Sequence, residues 1–471
     1  MNPAGHVRRM PPRAYPGAPR AARPAAIPVV AMRQGSRSLI MAMLPLVMIS
    51  LLGIATISSG SALWYDLPRL FLLSLGFTVV LFLLCRLRIS YQAVAFVVAY
   101  IGGLSIGTVA AFADRRLEWP SSIQLLASLA TFVVVATYVE DWLQRSSNTA
   151  KLRALELILL FFLLFAVADI AFYKTFGQVR QYLYDYNILM SIDRTYNRDM
   201  SLYFLPRPVC FFSEASNFAR FIGILIAYHV HVSNFSKRSI GWLALFELVT
   251  RSTSMLFPAP VLAIVLYRSI SAAPGARAGL RKNRVPIMIG VALVILVVVG
   301  ASQIGRLSSD KGSSSGGDAS VASRLGTPVE YMVNVWENRL IGSGATPQDQ
   351  VQEYVLATEI AKGRDYLATV QGYREGIATS IICVIAMGLA GLAVFTGTAM
   401  ALLGRVGLLV VGSFFFANFL SAGYNSAAMF VPWALIYPLL LAPPSLGTGR
   451  PRRPRSPAFA LGPRRPMALV R

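Results

Sequence analysis

Between Arg207 and Arg220 the chain reads R-P-V-C-F-F-S-E-A-S-N-F-A-R. Glu214 is a carboxylate able to move a proton. Arg207 and Arg220 carry guanidinium groups, which bind phosphate oxygens through charge-assisted, often bidentate hydrogen bonds. Pro206 and Pro208 break the chain just ahead, and a long apolar run follows. The polar side chains therefore stand at the mouth of a membrane helix, where charge is expensive. Ser213, Asn217 and Arg220 are spaced i, i+4, i+7 and share one helix face, with Glu214 at its edge. With a helix start near Ser213, Arg220 lies roughly 10 Å down at 1.5 Å per residue. A polar stripe at that depth is expected to face a cavity. The free N–H groups of the helix start add affinity for anions. Two roles stay open for Glu214: partner to Arg220 or Arg207, or base toward a hydroxyl. Burial would raise its pKa and a nearby arginine would lower it.

Further cations accompany this stretch. Arg251 follows the next apolar run, and Arg324, Arg339, Arg364 and Arg374 lie in a later polar segment. Several arginines converging on one side suit a large anion such as a diphosphate. Snorkelling to headgroups, or pairing with local carboxylates, is the structural alternative for each of them. Gly342 and Gly344, in I-G-S-G, allow a tight turn, either at the mouth of a site or in a plain loop.

What must position these residues is a membrane bundle. Of 471 residues, 55% are hydrophobic and 14% charged, against about 25% charged in a soluble domain. The formal net charge is +23, with the excess in short connections and in both tails. That is the positive-inside pattern, and it argues against nucleic acid as a partner. Cys85, Cys210 and Cys383 form no C-x-x-C, so neither a disulfide framework nor a metal cage is expected. His6 belongs to the basic tail. His229 and His231, near Lys237 and Arg238, read as interfacial, and no zinc site is expected.

Residues 1–37, rich in Pro, Ala and Arg, read as a disordered cytoplasmic tail, and 444–471 as a second one. The region 38–443 reads as one all-α polytopic domain. Apolar runs of spanning length fall at 38–58, 66–85, 90–112, 121–139, 154–173, 210–232, 239–251, 254–271, 286–304, 376–398, 404–422 and 427–443, about twelve spans. The pair 239–251 and 254–271 is the weakest, with Glu247 inside the first and Pro258 and Pro260 opening the second. It can equally be one span with a broken or re-entrant piece. Placing the N-terminal tail inside puts both tails and most short basic connections on the cytoplasmic side. Two long segments then face outward: residues 174–207, rich in aromatics, and residues 305–375. In the second, residues 323–339 are expected to form an amphipathic helix with Val329, Met332, Val333 and Trp336 clustered.

The segment R-P-V-C-F-F-S-E-A-S-N-F-A-R-F resembles the pattern R-P-x-G-x-F-x-E-P-S-x-F-A of bacterial O-antigen and exopolysaccharide polymerases of the Wzy type. W-E-N-R-L-I-G-S-G-A resembles the N-P-x-x-G-x-G turn of their second periplasmic loop. Here Ala215, Cys210 and Arg339 stand where the patterns carry Pro, Gly and Pro. The resemblance covers residues 207–221 and 324–345, and the two-loop layout agrees with it. It implies an inner-membrane glycosyltransferase, with both termini cytoplasmic, that joins polyprenyl-diphosphate-linked oligosaccharide repeat units on the periplasmic face without a metal or other cofactor. Arg207, Arg220 and Arg324 would hold the leaving diphosphate, with Arg251 and Arg339 in reserve and Asn217, Gly342 and Gly344 lining the site. Glu214 would act as base or orient an arginine. A flippase and chain-length or export proteins are the implied partners beside the lipid-linked substrate and the bilayer. An O-antigen ligase, which often has a histidine in this second loop, and a lipid-linked-oligosaccharide transporter are the alternatives.

Overall fold

A computed structural model describes residues 29–57, 88–113, 119–184, 205–212, 215–265, 327–344, 379–418 and 427–442, apart from residues 235, 260 and 338, together with a few isolated positions. Every regular element among them is helical. The main ones are α1 (Val29–Ile57), α2 (Tyr91–Ala113), α3 (Trp119–Arg145), α4 (Asn148–Ala171), α5 (Tyr173–Tyr184), α6 (Ala215–Val232), α7 (Lys237–Thr250), α8 (Thr379–Leu403), α9 (Val406–Ala417) and α10 (Ala427–Leu441). Four stretches among them, Tyr91–Ala113, Leu125–Arg145, Asn148–Ala171 and Thr379–Leu403, are long and apolar enough to cross a membrane, and three shorter apolar helices accompany them. Large apolar side chains also point outward: Val109 is 69% exposed, Leu164 63% and Leu248 73%. Such a surface suits lipid, since a water-soluble bundle keeps its apolar patches small.

The expected run at 286–304, and that at 66–85 apart from residues 76, 79 and 80, lie outside the described residues. Two boundaries differ from expectation. α1 begins at Val29, inside the stretch read as a disordered tail. Residues 323–339 do not form one amphipathic helix. A single turn at Thr327–Glu330 widens into a π-turn at Tyr331–Val335, closed by the Trp336 N–H donating to the Tyr331 carbonyl at 2.9 Å. That extra residue in the turn rotates the face: Tyr331 and Trp336 are buried, whereas Val329 and Val333 point outward.

The core is aromatic where the helices are thickest. Phe96 of α2 lies within 6.0 Å, centroid to centroid, of Phe132, Phe395, Phe414, Trp433 and Tyr437, from α3, α8, α9 and α10. Tyr437 donates its hydroxyl to the Gln92 carbonyl at 2.7 Å, and Tyr228 of α6 donates to the Leu435 carbonyl. Where α2 meets α8, small residues replace aromatics. Gly103 and Gly107 of α2, one turn apart, face Gly391 of α8 and Gly344 so closely that a side chain has no room. A Cβ on Gly107 would stand 2.6 Å from the Gly344 nitrogen, and one on Gly391 would strike the Gly103 carbonyl. Small residues spaced in this way let membrane helices approach at backbone distance.

α8 is interrupted at Gly388, whose φ of 64° and ψ of −178° belong to glycine alone. The break frees backbone groups that a helix would pair. Residues 339–344 fill it: the Leu389 and Ala390 N–H groups donate to the carbonyls of Arg339 and Leu340 at 2.9 Å each, and the Ser343 and Gly344 N–H groups donate to those of Ile385 and Ala386 at 3.0 Å each. Gly342 and Gly344, with φ of 84° and 77°, carry the turn that makes this docking possible. Gly388→Ala is expected to lower the thermal unfolding temperature of the purified protein, since the conformation alone costs about 1–3 kcal/mol in a residue with a Cβ. Gly397→Ala, on the same helix with open space around it, is expected to leave that temperature unchanged or higher.

Candidate functional site

The stretch that opens α6 is built from its hydrophobic anchors outward. Phe211 stacks on Phe165 of α4 with centroids 4.2 Å apart, and the fully buried Phe212 packs against Phe218 and Phe221. These rings fix the chain just ahead of the helix. Pro206 and Pro208 are buried on either side of a half-buried Arg207. Between them and the helix, Cys210 takes a left-handed backbone, with φ of 53°. The Val209 and Cys210 N–H groups both donate to Oδ2 of Asp169, at 2.7 Å each. Asp169 is fully buried in the last turn of α4.

α6 is described from Ala215 onward, and Arg220 sits in the second turn of that described part. Its side chain is 8% exposed, and the guanidinium carbon lies 5.4 Å from the centre of the Phe257 ring. A cation over a ring in a desolvated setting is worth about 0.5–2 kcal/mol. Phe257 arrives there because α7 ends at Arg251, which takes a left-handed backbone (φ 48°, ψ 42°), and the chain turns through a 3₁₀ segment, Thr253–Leu256. That segment lies on α6 at Gly223, where any side chain would strike the Met255 carbonyl. The region after Arg251 is thus irregular backbone packed inside protein, as the proline pair in the sequence allows. Arg251 reaches back, its Nη1 donating to the Leu205 carbonyl at 3.4 Å. Arg207, Arg220 and Arg251 are in this way tied to one short region, residues 205–223 with 251–257. Asn217 and Ser216 are half-buried on α6 in the same region.

Glu214, Ser213 and Arg324 lie outside the described residues. Arg339, Gly342 and Gly344 belong to the other irregular place, the break in α8. There Arg339 serves the backbone: its Nε donates to the Trp336 carbonyl at 3.0 Å and its Nη2 to the Val333 carbonyl. It closes the turn that precedes I-G-S-G, which is where a cation is favoured by free carbonyls. Beside it, Tyr331 packs on Tyr354 with centroids 5.3 Å apart. Burial, and secondarily the Glu337 carboxylate, push the Tyr331 phenol above its ordinary range.

Three features that the sequence does not place in a site come forward in the structure. Asp169 reads there as one polar residue near the end of an apolar run. Glu247 lies one turn before Arg251, half-buried, with Oε2 sealed from solvent and without a hydrogen bond among the described residues. A carboxylate within an apolar helix is the signal that points to both. The third is the burial of His229 and His231, which are 1% and 8% exposed. Nδ1 of His229 pairs with the Ser239 hydroxyl at 2.8 Å, and its Nε2 faces Glu156 at 3.6 Å. Nearby, buried Lys151 donates to the Leu143 carbonyl at 2.6 Å. This polar group ties the far end of α6, away from Arg220, to α4 and α7. Cys210 and Cys383 are buried and not disulfide-bonded to each other, and no cluster of metal-binding side chains occurs among the described residues.

No family model matches this chain, and no curated protein or solved structure is measurably similar to it. The chemistry of the site therefore rests on its own geometry: a desolvated arginine beside a ring, two further arginines and an amide, at the start of one helix. Phe257→Leu removes the ring face while keeping apolar volume. It is expected to destabilise the protein by about 0.5–2 kcal/mol when Arg220 is present. In an Arg220→Met background the same change is expected to cost little, a difference that a thermal-shift double-mutant cycle reads directly.

Proposed function

We propose that the chain is a membrane glycosyltransferase of the polysaccharide-polymerase kind, acting on polyprenyl-diphosphate-linked oligosaccharides at the outer face of a bacterial inner membrane. The observation that carries the reading is Arg220, a buried cation in the second turn of an apolar helix. A buried guanidinium beside an aromatic ring at the start of an apolar helix is suited to phosphate oxygens, which it binds through charge-assisted, often bidentate hydrogen bonds. Arg207 and Arg251 border the same region, and Asn217 adds an amide. A further point of support is Cys210. The polymerase pattern that the segment resembles often carries glycine there, and the left-handed backbone of Cys210 is the conformation glycine takes without strain.

In this reading a sugar hydroxyl of one repeat unit attacks the anomeric carbon of another. The new glycosidic C–O bond forms as the bond from that carbon to the diphosphate oxygen breaks. The hydroxyl proton goes to a base, and polyprenyl diphosphate leaves with the electron pair. Arg220, with Arg207, Arg251 and Arg324, stabilises the charge growing on the leaving diphosphate. Glu214 takes the proton or orients an arginine, and Glu247 is a second carboxylate on the Arg251 side. Gly342 and Gly344 set the loop turn, and Arg339 holds that turn together. Both termini and the short basic connections lie on the cytoplasmic side, and a flippase and chain-length or export proteins act before and after this step.

The transporter reading draws on one observation, the interrupted helix α8, since transporters place substrates at such breaks. Here the four backbone groups flanking Gly388 are paired with residues 339–344 of the same chain, so they are not offered to a substrate. The ligase reading differs from the polymerase only in its acceptor.

Reconstitution into liposomes with a lipid-linked repeat unit is expected to yield a ladder of longer glycans. Arg220→Ala is expected to abolish the ladder, by a hundredfold or more (about 2.7 kcal/mol or above in transition-state terms), with protein levels intact. Substrate that crosses the bilayer unchanged would instead support transport, and a single transfer to a different acceptor would support a ligase.

A further inference from the structure

Asp169 stands at the least favourable place for a carboxylate on its own helix. It lies in the last turn of α4, where the helix dipole is negative, and it is fully buried. Nothing about α4 itself calls for it. What it meets instead is the backbone just ahead of α6. Its Oδ2 accepts the Val209 and Cys210 N–H groups together, at 2.7 Å each, the short distance of hydrogen bonds to a charged acceptor. Those two N–H groups lie between the Pro208 break and the first turn of α6, outside any helix that could pair them. Buried and unpaired, each would cost about 1–3 kcal/mol.

The second of the two belongs to Cys210, whose φ of 53° costs a residue with a Cβ roughly 1–2 kcal/mol. The left-handed turn there decides the direction in which the chain leaves Arg207 and enters α6. The Phe212 N–H then donates to the Val209 carbonyl at 3.0 Å and closes the turn. One carboxylate thus fixes both the position of the turn and its handedness. Arg207 lies three residues before Cys210 and Arg220 ten residues after it, on the two arms of that turn.

We propose that Asp169 is a positioning residue: by holding the left-handed turn at Cys210, it sets the relative placement of the arginine-bearing arms on either side. The part of this that concerns anion binding rests on the proposed function. The hold on the turn stands on geometry alone.

The test uses the full-length protein, purified with Cys85→Ala and Cys383→Ala so that Cys210 is the one thiol. Asp169→Asn is expected to lower the unfolding temperature and to raise the maleimide labelling rate of Cys210 by about tenfold, the fold-change of 1.4 kcal/mol. It is also expected to weaken the binding of inorganic pyrophosphate by a similar factor. Cys210→Gly, which removes the backbone strain, is expected to recover part of the lost unfolding temperature and part of the lost pyrophosphate affinity. Where Asp169→Asn does not accumulate, Asp169→Glu, which keeps the charge one methylene further out, is expected to fold with intermediate values. If Asp169→Asn costs the same stability with Cys210 in place as it does alongside Cys210→Gly, the proposal is overturned. A fall in stability with pyrophosphate affinity unchanged would overturn it as well. If the parent protein binds no pyrophosphate, the diphosphate reading falls. The stability cycle and the Cys210 labelling then decide the role of Asp169 by themselves.

Discussion

Inside a bilayer every backbone N–H and C=O must find its partner within the protein, because no water is there to take its place. Among the described residues, two of the departures from continuous helix are each sealed by a specific partner. At Gly388 the partner is a loop, residues 339–344, which supplies two donors and two acceptors to the broken helix. At Val209 and Cys210 the partner is a side chain, the Asp169 carboxylate. The candidate site residues gather around these two places. Irregular backbone is what lets short polar segments enter an apolar bundle, and pairing is what lets it persist.

The two places differ in how tightly they are packed. Around Gly388 the packing is backbone against backbone. Gly103, Gly107, Gly342, Gly344 and Gly391 leave no space for a side chain between α2, α8 and the inserted turn. The loop is therefore a part of the bundle, and Arg339 is spent on closing the turn that enters it. Around Cys210 the packing is aromatic, through Phe165, Phe211, Phe212, Phe218 and Phe221. It leaves Arg207, Ser216 and Asn217 half-exposed. Of the two, the second has the side chains that can meet an anion.

The helical bundle is legible in the sequence because apolar runs of about 20 residues have few other uses. The mouth of α6 is legible as well: two prolines, a polar stripe and an apolar run announce it. Arg220 stands out because a charge at that depth breaks the local rule. Asp169 does not, since its partners are two N–H groups some forty positions along the chain and backbone donors carry no sequence signature. The break at Gly388 is hidden for a related reason. I-A-M-G-L-A-G-L-A reads as ordinary membrane helix, in which glycine is frequent. The basic pair Lys237 and Arg238 makes His229 and His231 read as interfacial, but their burial has no such signal: His229 meets Glu156 and Ser239, residues of two other helices. The face of residues 327–336 shifts because a π-turn adds one residue that no periodicity scan allows for.

The central claim is that the arginines at the start of α6 recognise a lipid-linked diphosphate. Equilibrium binding of a short-chain polyprenyl diphosphate and of the matching monophosphate to the purified protein in detergent tests it most directly. The expected result is tighter binding of the diphosphate, salt-sensitive and lost in Arg220→Ala at a temperature where that variant is still folded. Equal binding of the two lipids, or binding that survives the loss of Arg220, would contradict it.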